Sequence, residues 1–226
     1  MFKNFKVIAH MASPVCVTDF IILDGVISAA IAKKLNGDNY YCGANICGTK
    51  ETIDEWLNKV LDKQYGVYCT SIGLGDSKEY ISSWCKRWDD KNDDMVKFKG
   101  KGKQRIDIGS GNFKSYHMPL VIKSYKNITF YVRGDMENVK ELLENYIYYL
   151  GKKSSQGYGQ IRKWEFKEVE QDWSIWKDNK PMRPIPGLQC QEYIKVGKDL
   201  NLQECAIIPP YWRQDYRELC VMPSTD

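Results

Sequence analysis

Apolar positions along the 226-residue chain fall into helix-spaced and strand-like runs that alternate in a definite order. The opening Phe5-Lys6-Val7-Ile8-Ala9-His10-Met11-Ala12 reads as a strand. After Pro14, Ile21-Ile22-Leu23-Asp24-Gly25 leads into Val26, Ile27, Ala29, Ala30, Ile31, Ala32 and Leu35, a helix apolar nearly all round and so deeply buried, with Asp24 placed to cap its start. A second helix over 51–63 puts Ile53, Trp56, Leu57, Val60 and Leu61 on one face, with Thr49 as candidate cap. Residues 67–72 then read as a strand. From 73 to 119 the pattern loosens: Tyr80, Ile81, Trp84, Cys85 and Trp88 suit a short helix, with an alternating strand as the open alternative. Strands follow over 120–123 and 128–133. Asp135 then caps a helix over 136–150 whose apolar face is Met136, Val139, Leu142, Leu143, Tyr146, Ile147 and Leu150, and a strand over 161–168 ends the regular part.

Without the insertion at 73–119, the order is strand, helix, strand, strand, helix, strand. That is an α+β, ferredoxin-like (RRM-like) βαββαβ core, one sheet face covered by two helices. A Pro-, Trp- and Tyr-rich extension over 170–226 drapes over it, and the whole of 1–226 is expected to form a single domain.

Composition narrows the classes without choosing among them. With 43% hydrophobic residues, disorder is excluded, and a net charge of +4 is too small to mark a nucleic-acid binder unless its lysines and arginines cluster. No signal segment and no 18-residue apolar run is present, since Asp24 interrupts the richest stretch, so a soluble cytoplasmic protein without a membrane partner is expected. The eight cysteines make no disulfide framework. Cys42 and Cys47 have no second ligand pair nearby, so neither metal nor other cofactor is expected.

Two segments carry candidate chemistry. The first is the glycine-rich loop Gly151-Lys152-Lys153-Ser154-Ser155-Gln156-Gly157-Tyr158-Gly159, in which Gly151 would end the preceding helix and three glycines would leave backbone amides bare to a phosphate or ribose. The second is a ladder of Lys97, Lys99, Lys101, Lys103 and Arg105, which in an extended chain would point one way about 6.6 Å apart. Such a ladder suits a nucleic-acid backbone; a solvated hairpin edge is the alternative, and Asp89, Asp90, Asp93 and Asp94 could partly neutralise it. Of the two histidines, His10 reads as a core residue of the first strand. His117 lies in a loop beside Lys114 and Tyr116, where an RNase-type base would be conceivable.

A Leu23-Asp24-Gly25 segment opening the first helix and the loop Gly151-x-x-x-Ser155-x-Gly157-Tyr158-Gly159 after the last resemble the RAMP superfamily of CRISPR-associated RNA-binding proteins. Gly111-Asn112-Phe113-Lys114-Ser115-Tyr116, Arg183-Pro184-Ile185-Pro186 and Pro209-Pro210-Tyr211-Trp212 extend the resemblance over most of the chain. It is most similar to the type IV subunit that caps the five-prime handle of the guide RNA (crRNA). The resemblance implies a non-catalytic subunit that binds crRNA, touches other effector-complex subunits and meets target nucleic acid only indirectly. Gly151, Gly157 and Gly159 become RNA-approach positions and Lys152, Lys153 and Ser154 phosphate partners, with Gln156, Tyr158, Arg162, Lys114, Tyr116, His117 and the ladder as further candidate contacts. Two alternatives stay open: a metal-independent endoribonuclease that processes guide RNA, and a stand-alone RAMP-like protein that sequesters nucleic acid or nucleotide or mimics an effector subunit.

Overall fold

The computed structural model describes residues 1–37, 40, 50–97, 106–187 and 201–223. Strands β1 (Lys3–Met11) and β2 (Val15–Cys16) precede helices α1 (Leu23–Asn36) and α2 (Lys50–Val60). Short strands β3 (Lys63–Gln64) and β4 (Val67–Tyr68) lead to the long strands β5 (Ser77–Lys86), β6 (Tyr116–Tyr125) and β7 (Asn127–Gly134). Helix α3 (Met136–Tyr146) and strand β8 (Ile161–Glu168) follow, then β9 (Trp176–Lys177), β10 (Lys180–Pro181), β11 (Ile185–Pro186), β12 (Leu202–Ala206) and β13 (Arg217–Val221). The fold is mixed α+β, with several small antiparallel sheets.

Strict alternation makes β1 the centre of the core. Phe5, Val7 and Ala9 are wholly buried, while Lys6, Ile8 and His10 between them are only half-buried. β7 and β8 pair antiparallel on its two sides, so that Val7 faces both Phe130 and Phe166. Beyond β7, residues 70–74 continue the layer through bridges Thr70–Val132 and Leu74–Thr129. Ile27, Ala30 and Ile31 of α1 and Val139, Leu142 and Leu143 of α3 cover the apolar face. Truncating a side chain such as Phe5 to alanine there costs about 3–5 kcal/mol.

The C-terminal extension is more than a drape. It carries a sheet ordered β11-β13-β12, and Ile185 and Val221 from it join Val67, Cys69 and Ile175 in a second buried cluster.

Four sequence expectations change. Asp24 does not cap α1: Ile22 holds that position, and Asp24 lies buried in the first turn. α3 ends at Tyr146 rather than Leu150, where poor helix formers Ile147, Tyr148 and Tyr149 follow and the Trp164 indole donates to the Ile147 carbonyl at 3.1 Å. The strand alternative is correct for 80–88, most of which lies in β5, because a ten-residue pairing with β6 outweighs a weak helical rhythm. His10 points away from the core and meets Glu165 at 2.7 Å. Thr49, Cys42 and Cys47 lie outside the described residues.

Candidate nucleic-acid interface

The two-residue strand β2 joins the parts that matter. Val15 and Cys16 pair with Lys123 and Ile122 of β6, and the Cys16 carbonyl accepts the Lys152 amide at 2.8 Å. One short segment thus places the β5–β6 ribbon, an arm carrying the insertion, beside the glycine-rich loop. Sequence distance between arm and loop is erased by a backbone contact rather than by side-chain packing.

Because α3 stops early, residues 147–161 form a tight ribbon with the loop as its tip: Leu150 N–H donates to Gly159 at 2.8 Å and Ile161 N–H to Tyr148 at 2.9 Å. Gly151 is therefore a turn residue and not a helix terminator. The amides are not bare either. Gly159 N–H donates to Pro14 at 2.7 Å and Gly157 N–H to Ser154 at 2.9 Å, while Ser13 Oγ donates to the Gly157 carbonyl at 2.7 Å. At Gly159 a Cβ would lie 1.8 Å from the Leu150 carbonyl oxygen, so packing alone demands glycine there. Gly157 differs: its φ is +86° and nothing stands within 4 Å of a Cβ position, so its outer side is open. What the loop offers a partner is that open side and the exposed Lys152, Ser154 and Gln156, with Tyr158 half-buried beneath.

Lys153 turns toward the arm. Its ammonium lies 3.0 Å from the centroid of the Trp84 ring, and the Tyr116 ring meets Trp84 edge-on at 5.3 Å. Lys153 adopts a left-handed backbone (φ 63°), a conformation that costs a non-glycine residue about 1 kcal/mol. An exposed cation–π contact contributes about 0.5–1 kcal/mol, which barely offsets that strain. The arm around this contact is open: Tyr80, Ile81 and Met118 are at least half exposed.

Lys153 and Tyr116 are thus brought together, through a tryptophan that the sequence did not mark as a contact. Reading 77–86 as a strand would have found it, because alternation puts Tyr80, Ser82, Trp84 and Lys86 on one face. His117 lies opposite Cys85 in the register, on the other face, and its Nδ1 is 2.8 Å from the Cys85 sulfur. It belongs to strand β6, not to a loop. Lys114 is exposed just after the Gly111–Phe113 turn, which docks on the arm through Lys86 Nζ donating to the Asn112 carbonyl and Trp88 packing edge-on against Phe113. Arg162 is exposed on β8, in a shallow depression with Glu144, Ile147, Tyr148 and Trp164. Lys97 is exposed; Lys99, Lys101, Lys103 and Arg105 lie outside the described residues. Among the described residues, no three His, Cys, Asp or Glu gather as a metal site, and no helix is long and apolar enough to cross a membrane.

The remaining motif stretches meet elsewhere, in the interior. Arg183 is fully buried and sets its Nη1 3.0 Å from Asp24 Oδ2, with the Tyr68 carbonyl and Thr70 Oγ1 as further acceptors. Its Nη2 donates to the Ile207 carbonyl at 2.9 Å and to the Tyr211 hydroxyl, which in turn donates to Asp24 Oδ1. Burial works against the Arg183 charge, but Asp24 and Tyr211 together outweigh it and hold the guanidinium pKa above its ordinary value. Burial, reinforced by Asp24, pushes the Tyr211 hydroxyl well up, keeping it a neutral donor. Gly25 completes the arrangement, since a Cβ there would lie 3.0 Å from the Tyr211 ring.

Arm tip, loop and the C-terminal half of this buried clasp fall within one match to known proteins, and that match defines a CRISPR-associated subunit. A family model described as CRISPR type IV associated protein Csf3 covers residues 89–223. The chain belongs to this family of RAMP-like type IV CRISPR subunits. A comparison with curated proteins found no match.

Proposed function

We propose that the chain is a non-catalytic subunit of a type IV CRISPR effector complex that holds the five-prime handle of the crRNA at the junction of arm and loop. The observation that carries this reading is the convergence of Lys152 and Lys153, the open side of Gly157, and the Trp84–Tyr116 pair, all set by β2. Cations beside aromatic rings suit single-stranded nucleic acid, whose phosphates and base faces are offered together. Membership in a CRISPR-associated family favours guide RNA as that nucleic acid and implies other effector subunits as protein partners.

The core supports a ferredoxin-like interpretation. Its layer runs β8, β1, β7 and then residues 70–74, with α1 and α3 packed on one face, which is the strand order a βαββαβ chain produces. The basic segment 97–105 connects to the arm and supplies further phosphate contacts in this reading. Native purification, followed by sequencing of the nucleic acid that co-elutes, tests the proposal. A guide RNA retained with its five-prime end protected from nuclease supports it, and a chain that elutes free of nucleic acid from cells expressing the guide contradicts it.

A further inference from the structure

We infer that Trp84 is the stacking platform for one unpaired base of the bound RNA, and that Lys153 is its placeholder, covering the ring until the base arrives. The inference rests on the reading that the chain binds guide RNA.

Three observations converge on it. The Lys153 ammonium sits 3.0 Å from the Trp84 ring centroid, over a half-buried ring at a surface junction rather than inside the core. Lys153 reaches that place from a left-handed backbone at the residue just before the Ser154–Gln156 turn, where its carbonyl accepts the Gln156 amide at 2.9 Å. A left-handed non-glycine residue costs about 1 kcal/mol or more, and such residues recur at ligand-binding sites. The edge-on Tyr116 ring fixes the orientation of Trp84, so the platform is preorganised.

Exchange of partners is favourable on general grounds. A base stacked on an aromatic ring outweighs an exposed cation–π contact. The displaced ammonium does not lose its role, because the phosphate that accompanies the base takes the place of the ring as its partner. Lys152 is exposed next to it, so the two lysines match a base flanked by two phosphates. Stacking tolerates any base, and the platform therefore adds affinity without itself reading sequence.

Two fluorescent single-stranded probes separate stacking from charge: a twelve-nucleotide oligoadenylate RNA and a twelve-unit abasic phosphodiester of equal charge. Trp84→Leu should weaken the oligoadenylate about 5- to 150-fold, the range for losing one stacked base, and leave the abasic probe unchanged. Trp84→Phe, which keeps an aromatic face, should retain most of the affinity and serves as the folding control. Lys153→Gly should relieve the backbone and flatten the salt dependence for both probes by about 0.7 in logarithmic slope. A Trp84→Leu variant that melts like the parent and binds both probes as before overturns the platform while leaving RNA binding intact. Equal weakening of both probes also overturns it, since the loss would then be one of charge or fold. If the parent binds neither probe, the RNA reading falls and the platform with it.

Discussion

Among the described contacts between a cationic side chain and an aromatic residue, those of Arg183 and Lys153 differ most in environment. At the clasp, Arg183 and Asp24 are wholly buried, with Tyr211 closing the third side. At the junction of arm and loop, Lys153 meets Trp84 at the surface with no carboxylate in the contact. Removing a buried cation strands a charged partner and costs several kcal/mol. Removing the surface cation costs a fraction of that, so the surface contact can change partners and the clasp cannot. Motif residues that look alike in sequence therefore divide by burial: Asp24, Arg183 and Tyr211 hold the fold, while Lys153 remains available to a ligand.

The strongest way to break this contrast is at the clasp. Arg183→Met should destabilise the protein by about 3–5 kcal/mol, read by denaturant unfolding, whereas Lys153→Met should stay within about 1 kcal/mol of the parent. A matching loss for both would erase the distinction. Adding Asp24→Leu to Arg183→Met should recover part of the loss, because the uncompensated carboxylate is gone.

The loop glycines sharpen the contrast at smaller scale. Gly159→Ala must push the Leu150 carbonyl aside and should lower the melting temperature measurably. Gly157→Val meets open space, so its cost is confined to the left-handed backbone, about 1–2 kcal/mol, while the new side chain blocks approach and weakens RNA binding. If Gly157→Val folds and binds RNA like the parent, the open side of the loop is not a contact.

The basic segment offers a test through salt. Replacing Lys99, Lys101 and Lys103 with Gln should reduce the logarithmic salt slope of RNA binding by about 2, roughly 0.7 for each phosphate no longer neutralised. Unchanged slope with earlier melting would assign the segment to the fold instead.

The smallest expected effect concerns acid. Hydrogen bonds from Lys167 and then His10 hold the Glu165 carboxyl down at about 2. Because the folded value lies below the unfolded one, the contribution is present above about pH 4.5 and fades as pH falls toward 2. Glu165→Gln should therefore reduce stability slightly at neutral pH and not at all near pH 2, a small difference because the pair is partly exposed.

Much of the core was legible because burial imposes period. Phe5, Val7 and Ala9 marked a strand, the face of α3 was read from its spacing, and Asp135 caps α3 as expected, accepting the Asn138 amide at 3.2 Å. Helix α1, read as apolar nearly all round, instead buries one face and leaves Val26, Ala29, Ala32 and Leu35 half-buried. The arm was less legible because β5 is exposed on both faces, so its residues carry no clean alternation of apolar and polar types. The end of α3 was misplaced because Ile147 and Leu150 continue the apolar rhythm while the backbone has already turned, drawn out by Trp164 and Gly159. Candidate contacts were visible as residue types, but not their grouping: nothing in the spacing of Cys16, Ile122 and Lys152 announces that β2 joins arm to loop. Nor could it be seen that Arg183 and Tyr211 reach back to Asp24, since that pairing spans more than 150 residues.

The most direct test of the central claim is the affinity of the purified protein for two guide RNAs of equal length at one fixed salt concentration, one with its native five-prime handle and one with that handle replaced by unrelated sequence. A subunit that holds the handle should bind the first at least about tenfold more tightly, a difference of about 1.4 kcal/mol. Equal affinities would contradict it and leave only a general attraction for phosphate.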